Sequence, residues 1–286
     1  MNAKTAIAHR GASAYAPEHT LAAYRLALAM KADFVEQDLQ MTRDGALVCL
    51  HDTTLERTTD VQKVFPDRAR RSQAGGRAVE SWPVVDFTLD ELRRLDAGSW
   101  FDARFAGERI PTFEEAIALV AGQAGVYPEL KEPGYYEQFG LNMASAVAAV
   151  LAAHGLDRPE GQAATPVFIQ SFSPEALKEM RRLTGRTYRL IQLVGGGQAA
   201  TLLSDAGLDE VAAYADGIGP AVGLLLRDRS RLEAARRRGL LVHPYTVNVA
   251  SLPDLYPDVR SYTDFLLYEL GVDGVFTDHP DQFPRY

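Results

Sequence analysis

Thr5-Ala6-Ile7-Ala8-His9-Arg10-Gly11 and Phe34-Val35-Glu36-Gln37-Asp38 are short apolar runs that each turn polar at the downstream end. A third run, Ala46-Leu47-Val48-Cys49-Leu50, ends in His51-Asp52, and a fourth, Gly125-Val126-Tyr127-Pro128, ends in Glu129-Leu130-Lys131. Apolar runs of this length suit strands buried in a parallel sheet. In an α/β barrel, the carboxyl ends of such strands carry the chemistry. The four runs therefore deliver His9, Arg10, Glu36, Asp38, His51, Glu129 and Lys131 to one rim.

The rest of the chain alternates in the same way. The pattern predicts strands at 5–9, 33–39, 46–51, 125–130, 166–171, 187–193, 215–219, 240–246 and 273–277. Helices are expected near 19–31, 112–122, 137–154, 173–184, 228–238 and 259–270. Thr112 with Glu115 forms a capping-box pattern, and Ser173-Pro174-Glu175 opens a helix with proline in its first turn. Roughly eight parallel strands with intervening helices make a TIM (β/α)8 barrel the economical fold. Residues 53–110 interrupt the rhythm. They are rich in Arg, Asp, Gly and Pro and too long for an ordinary barrel connection, so they are expected to form a small inserted cap subdomain after the third strand, with Trp82 and Trp100 as anchors. The single barrel domain spans 1–286.

Bulk properties narrow the function. A chain of 286 residues that is 47% hydrophobic suits one globular barrel, and no stretch approaches the apolar length of a membrane span. The net charge of −8 speaks against a nucleic-acid surface. The basic clusters Arg68-Ala69-Arg70-Arg71 and Arg236-Arg237-Arg238 read as solvated faces. Cys49 is the sole cysteine, so no internal disulfide forms, and its apolar run marks it as a small core residue. The first strand begins by Thr5 and leaves no room for a signal peptide's apolar region. As written, the chain reads as cytoplasmic, or as periplasmic if it is a trimmed mature form.

Glu36 and Asp38 are one residue apart and share a face of their strand. Two buried acids on one face need positive charge between them. With Glu129 they form an all-oxygen set that suits a divalent cation, Mg²⁺ or Ca²⁺, better than zinc. In the alternative arrangement, Arg10 and Lys131 pair with these acids as an ion network. His9 and His51 end strands beside the acids and can exchange protons near neutral pH. Arg10 offers a planar fork to a phosphate, and Lys131 a point charge. Carboxylates for a hard metal, histidines for protons and cations for an anion together point to metal-assisted phosphodiester cleavage. Glu18, Gln170, Tyr245 and Asp278 fall near element ends on the same rim, where turn capping accounts for each. His19, His154, His243 and His279 read as structural or surface residues. Gly195-Gly196-Gly197 lacks the Lys-Ser/Thr of a phosphate loop and reads as a loop.

In sequence, the chain resembles the glycerophosphodiester phosphodiesterase family. The resemblance rests on His9-Arg10-Gly11-Ala12-Ser13, Pro17-Glu18-His19-Thr20-Leu21, Glu36-Gln37-Asp38, Thr42-Arg43-Asp44-Gly45, His51-Asp52, Glu129-Leu130-Lys131, Gln170-Ser171-Phe172 and Phe276-Thr277-Asp278. Segments 36–42, 64–70, 214–220 and 242–247 are most similar to the bacterial periplasmic branch. Two positions depart from the common pattern: His19, where most of the family has Asn, and Tyr245, where many members have Trp. The resemblance implies a TIM barrel and a metal held by Glu36, Asp38 and Glu129. It also implies acid–base roles for His9 and His51, with Arg10 and Lys131 near the phosphate and Tyr245 at the substrate. The implied reaction is hydrolysis of a glycerophosphodiester to glycerol 3-phosphate and an alcohol, a step of glycerol and lipid metabolism. A lysophospholipase D-like activity on the same barrel is the alternative enzyme, and a phosphodiester-binding protein without turnover is the alternative of another class.

Overall fold

The computed structural model describes residues 4–74 and 77–286. Eight parallel strands form the barrel: β1 (Thr5–Ala8), β2 (Phe34–Met41), β6 (Gly125–Leu130), β7 (Phe168–Ser171), β8 (Arg189–Val194), β9 (Gly217–Pro220), β10 (Leu241–Val242) and β11 (Gly274–Thr277). Their order around the sheet is β10-β9-β8-β7-β6-β2-β1-β11. Backbone hydrogen bonds from Asp273 N to Val242 O (3.0 Å) and from Phe276 N to Pro244 O (3.1 Å) bring the last strand back to β10. The fold is the expected TIM barrel.

The strand expected at 46–51 differs in direction. It forms as β3 (Leu47–Cys49) but pairs antiparallel with β2, Leu39 facing Cys49 and Met41 facing Leu47. The cause is the short Thr42-Arg43-Asp44-Gly45 turn. A parallel return needs a crossover of about a dozen residues, whereas a hairpin closes in a few. So β3 is an annex to β2 outside the barrel, and the long segment after it follows the second barrel strand.

Strand periodicity divides the apolar residues between two cores. The inward residues Ile7, Phe34, Tyr127, Phe168, Ile191 and Phe276 fill the barrel, with Tyr127 stacked on Phe168 at 5.1 Å. The outward ones, such as Val35, Leu39, Val126 and Ile169, pack beneath the helices. Helix starts follow the capping logic. Thr112 and Glu115 make the reciprocal pair at the head of helix Phe113–Val120, and Ser173 caps Pro174–Thr184. The helix expected at 137–154 breaks into Pro133–Glu137 and Met143–Ala153, where Gly140 takes a positive φ of 73° and Asn142 caps the second piece.

Residues following β3 build a separate apolar cluster around Leu55, Val61, Trp82, Val84, Phe87, Leu92 and Leu95, joined to Val48 and Leu50. An exposed hairpin, β4 (Arg70–Ala74) with β5 (Arg77–Ser81), projects from it. Trp82 is buried, and its indole donates to Phe65 O at 2.8 Å. Trp100 is 40% exposed and lies outside that cluster, so it does not anchor the segment as expected. Among the described residues, no helix is long and apolar enough to cross a membrane.

Candidate active site

The same periodicity that turns Phe34 into the barrel turns Glu36 and Asp38 inward above it. Across the β2–β6 ladder Asp38 is in register with Glu129, and across the β6–β7 ladder Glu129 is in register with Gln170. Register partners on parallel strands face the same side, so Asp38, Glu129 and Gln170 form a row. All three, with Glu36, line a cavity of ≈ 240 Å³ at the carboxyl ends of the strands. His9, Arg10, His51, Lys131 and Tyr245 line it too, whereas Glu18 and Asp278 stand behind the lining. Phe172, Leu193, Thr246 and Phe276 complete its walls.

The acids are unevenly served. Asp38 Oδ2 lies 3.1 Å from Arg10 Nε and 2.9 Å from His19 Nε2, while Oδ1 lies 3.7 Å from Lys131 Nζ. Against the cost of burial, Lys131, His19 and Arg10 hold the Asp38 carboxyl well below the usual range. Glu36 accepts from the Arg10 backbone N–H at 2.7 Å and from Gln170 Nε2 at 3.3 Å, and Glu129 has Lys131 at 3.5 Å. For both glutamates burial, then the charge of Asp38, pushes the carboxyl well above its usual range. The Gln170 side-chain oxygen is buried without a hydrogen-bond partner among the described residues. The acid cluster is therefore short of positive charge. The ion network open in the sequence forms chiefly at Asp38, which Arg10 and Lys131 engage, and the two glutamates are less compensated.

His19, read as structural or surface from sequence, is buried in the site. Ligand atoms of His19, Glu36 and Asp38 lie within 4.8 Å of one another, a grouping able to hold a metal ion. Its Nδ1 meets Tyr24 Oη at 2.9 Å, so both ring nitrogens have protein partners. Burial holds the imidazole below its ordinary value. Glu129 falls outside that tight grouping and joins the acids through the Asp38 register.

Each cavity histidine is oriented by a carboxylate. His9 Nδ1 lies 2.6 Å from Asp278 Oδ1, and Asn248 donates to Asp278 Oδ2 at 2.9 Å. His51 Nδ1 lies 2.6 Å from Asp52 Oδ1. With these carboxylates accepting from Nδ1–H, each Nε2 has no hydrogen-bond partner among the described residues. Burial, with Arg10 and Lys131, keeps the His51 imidazole below its ordinary value despite Asp38 and Asp52. Asp278, where turn capping sufficed from sequence, is thus the partner of His9.

Local backbone geometry aims these groups. Arg10 and His19 both take left-handed φ values, 57° and 54°, and His19 N donates to Arg10 O at 3.1 Å. Such conformations persist where surrounding bonds fix them. Gly11 follows at φ 85°, where a Cβ would come within 2.8 Å of the Ala23 backbone, so the loop needs glycine to cross its helix. Tyr245 closes one side, its hydroxyl donating to Val194 O at 3.3 Å. Burial pushes that phenol up to about 12, so it stays protonated. Arg57, unmarked in the sequence, reaches Glu18 and Asp52 from the segment beyond β3.

Comparison with known proteins gives one picture. The pattern of the glycerophosphoryl diester phosphodiesterase family matches residues 9–282. A glycerophosphodiester phosphodiesterase of Bacillus subtilis is 38% identical over 98% of this chain and 85% of its own, and one of Haemophilus influenzae is 33% identical over 97% and 88%. Among solved structures, an Oleispira antarctica phosphodiesterase in complex with the product sn-glycerol-3-phosphate aligns at TM-score 0.75 and 27% identity over 97% of this chain and 94% of that one. A glycerophosphodiester phosphodiesterase of Agrobacterium tumefaciens aligns at TM-score 0.72 and 28% identity over 98% and 99%.

Proposed function

We propose, from the premise that this chain belongs to the glycerophosphoryl diester phosphodiesterase family, that it cleaves its substrate with a divalent cation held by Glu36, Asp38 and Glu129 and with His9 and His51 moving protons. The chain is a glycerophosphodiester phosphodiesterase: it hydrolyses glycerophosphodiesters, and the products of that reaction are glycerol 3-phosphate and an alcohol. The observation that carries the finer reading is the row of inward acids on β2 and β6, facing two carboxylate-held histidines across one cavity.

The donor set fits a hard cation. Two buried glutamates pushed towards neutrality, and an amide oxygen without a partner among the described residues, form an oxygen donor set that suits such a cation. His19 supports Asp38 as an orienting partner, since its nitrogens are already bonded. Ca²⁺ and Mg²⁺ both suit such oxygens. A divalent cation held by these residues would supply Lewis-acid stabilisation of the charge developing on the phosphate.

The chain's own residues do the rest. Arg10 and Lys131 face the cavity and take the charge of the phosphate. His9, held by Asp278, accepts the proton of the attacking oxygen, whether water or the neighbouring glycerol hydroxyl. His51, held by Asp52, delivers a proton to the departing alcohol. Burial holds its imidazole below the ordinary value, and a bound anionic phosphodiester favours its protonated form. Tyr245, Phe172 and Phe276 give the substrate's carbon chain an apolar wall. Residues 53–110 act as a cap that admits small water-soluble diesters and hinders long acyl chains, which favours this activity over a lysophospholipase D-like one.

The test is release of glycerol 3-phosphate from several glycerophosphodiesters, with and without chelator. Metal-dependent release that His9→Ala and His51→Ala both depress supports the reading. Release indifferent to chelator and to both substitutions removes it.

A further inference from the structure

We infer that Arg57, supplied by the segment outside the barrel, is a positioning residue that sets His51 and Arg10 together. This rests on the roles given above to those two residues. Arg57 Nε donates to Asp52 Oδ2 at 2.5 Å, while Nη1 and Nη2 donate to Glu18 Oε2 and Oε1 at 3.1 and 2.7 Å. Asp52 holds His51 through its other oxygen, at 2.6 Å, and Glu18 Oε1 also accepts from Arg10 Nη1 at 3.1 Å. One guanidinium thus closes a continuous chain, His51–Asp52–Arg57–Glu18–Arg10, across the rim of the cavity.

The backbone carrying Arg57 is fixed by its own segment. Leu55 is fully buried in that segment's apolar cluster, and Leu55 N donates to Trp82 O at 3.0 Å. Val84 N donates to Thr53 O at 2.9 Å, and Thr59 Oγ1 to Leu55 O at 2.7 Å. The segment's packing therefore sets where the guanidinium sits, and the guanidinium sets two site residues of the barrel.

Stability alone does not explain the arrangement. The Arg57 side chain is 42% exposed, which screens its ion pairs with Asp52 and the mostly buried Glu18. Orientation does explain it. Three coplanar N–H groups reach two carboxylates at once, which a lysine's single ammonium on a flexible stem does not reproduce. With the guanidinium removed, Asp52 and Glu18 are free to turn, and the imidazole and Arg10 turn with them. Misplacement of about 1 Å is enough to cost up to roughly 100-fold in rate.

The experiment compares the whole protein with Arg57→Ala and Arg57→Lys, using glycerophosphocholine as substrate. Both variants should lose about 10–100-fold in kcat, with a raised KM from the loosened Arg10, at temperatures well below melting. Millimolar guanidinium should restore part of the Ala variant's rate, and methylammonium should not. Side-chain NMR supplies a readout independent of turnover. The charged groups around His51 include Asp52, Asp38, Arg10, Lys131 and Glu132, so losing Arg57 leaves Asp52 less neutralised and should raise the His51 titration midpoint. Lowered melting with unchanged kcat, KM and His51 titration would make Arg57 a mere staple and overturn the inference, as would full rescue by lysine. A wild type that releases no glycerol 3-phosphate would sink the functional reading instead, leaving the His51 titration to decide on Arg57.

Discussion

Asp38 and Glu129 are register partners on adjacent parallel strands, pointing together into the carboxyl-terminal mouth of the barrel. Two ionised carboxylates so placed, with Glu36 beside them, oppose folding unless positive charge offsets them.

That relationship predicts a trade-off. In the metal-free protein Glu36 has a raised pKa, so the folded state holds a proton that the unfolded chain releases. Its contribution is present below the ordinary carboxylate range and is lost as pH rises through the folded value. Glu36→Gln should therefore melt higher than wild type at pH 7 without metal, because the amide carries no charge to bury. The same variant should lose the upward shift in melting that Mg²⁺ or Ca²⁺ gives the wild type. A lower metal-free melting temperature in the variant, with the metal shift intact, would contradict the cluster's role.

The histidine roles separate by leaving group. His9→Ala and His51→Ala should each lower kcat by about 10²–10⁴-fold on a choline ester. On a nitrophenyl ester, whose leaving group needs no proton, the His51 variant should recover much of its rate and the His9 variant should not. Equal recovery in both would reverse or dissolve the assignment.

Glu18 should show itself in acid. Burial alone would raise its pKa, but the hydrogen bonds from Arg57 and the charge of Arg10 hold it at about 2, against 4.5 for a free side chain. A depressed carboxylate gives stability that is present above pH 4.5 and is lost as pH falls towards 2. At most about 3 kcal/mol is at stake, less because Arg57 is partly exposed. Denaturant unfolding of Glu18→Gln should show a shallower loss between pH 4.5 and 2 than wild type. Parallel curves would mean that the pairing carries no stability.

The cap is tested at its hairpin. Arg70 and Ser81 are register partners, so a short linker can replace 70–81 without parting the flanking chain. The buried cluster around Leu55 and Trp82 stays in place. The trimmed protein should gain rate on lysophosphatidylcholine relative to glycerophosphocholine. An unchanged ratio in a folded protein would show that this part of the segment plays no role in selection.

Much of this was legible because strand periodicity is local. Phe34, Glu36 and Asp38 share a face by spacing alone, and the strand-end positions of His9, His51 and Glu129 follow from where the apolar runs stop. Strand direction was less legible: an apolar run does not say which way it pairs, though the short turn before β3 carries that information. Arg57 was not legible, since its partner Glu18 lies 39 residues away and its polar segment has no period to mark it. His19 was hidden because a left-handed backbone, which spacing rules do not anticipate, turns it inward. Asp278 lay in a recognisable turn, but only the β1–β11 pairing brings it to His9.

The central claim is that Glu36, Asp38 and Glu129 hold the divalent cation on which turnover depends. The direct measurement is glycerol 3-phosphate release by protein stripped of metal, with metal content checked, and then titrated with Mg²⁺ or Ca²⁺. Wild type should fall to background when stripped and recover on titration, while Glu36→Ala and Glu129→Gln stay folded and do not recover. Full activity in the stripped wild type, or full metal-restored activity in both variants, would contradict it.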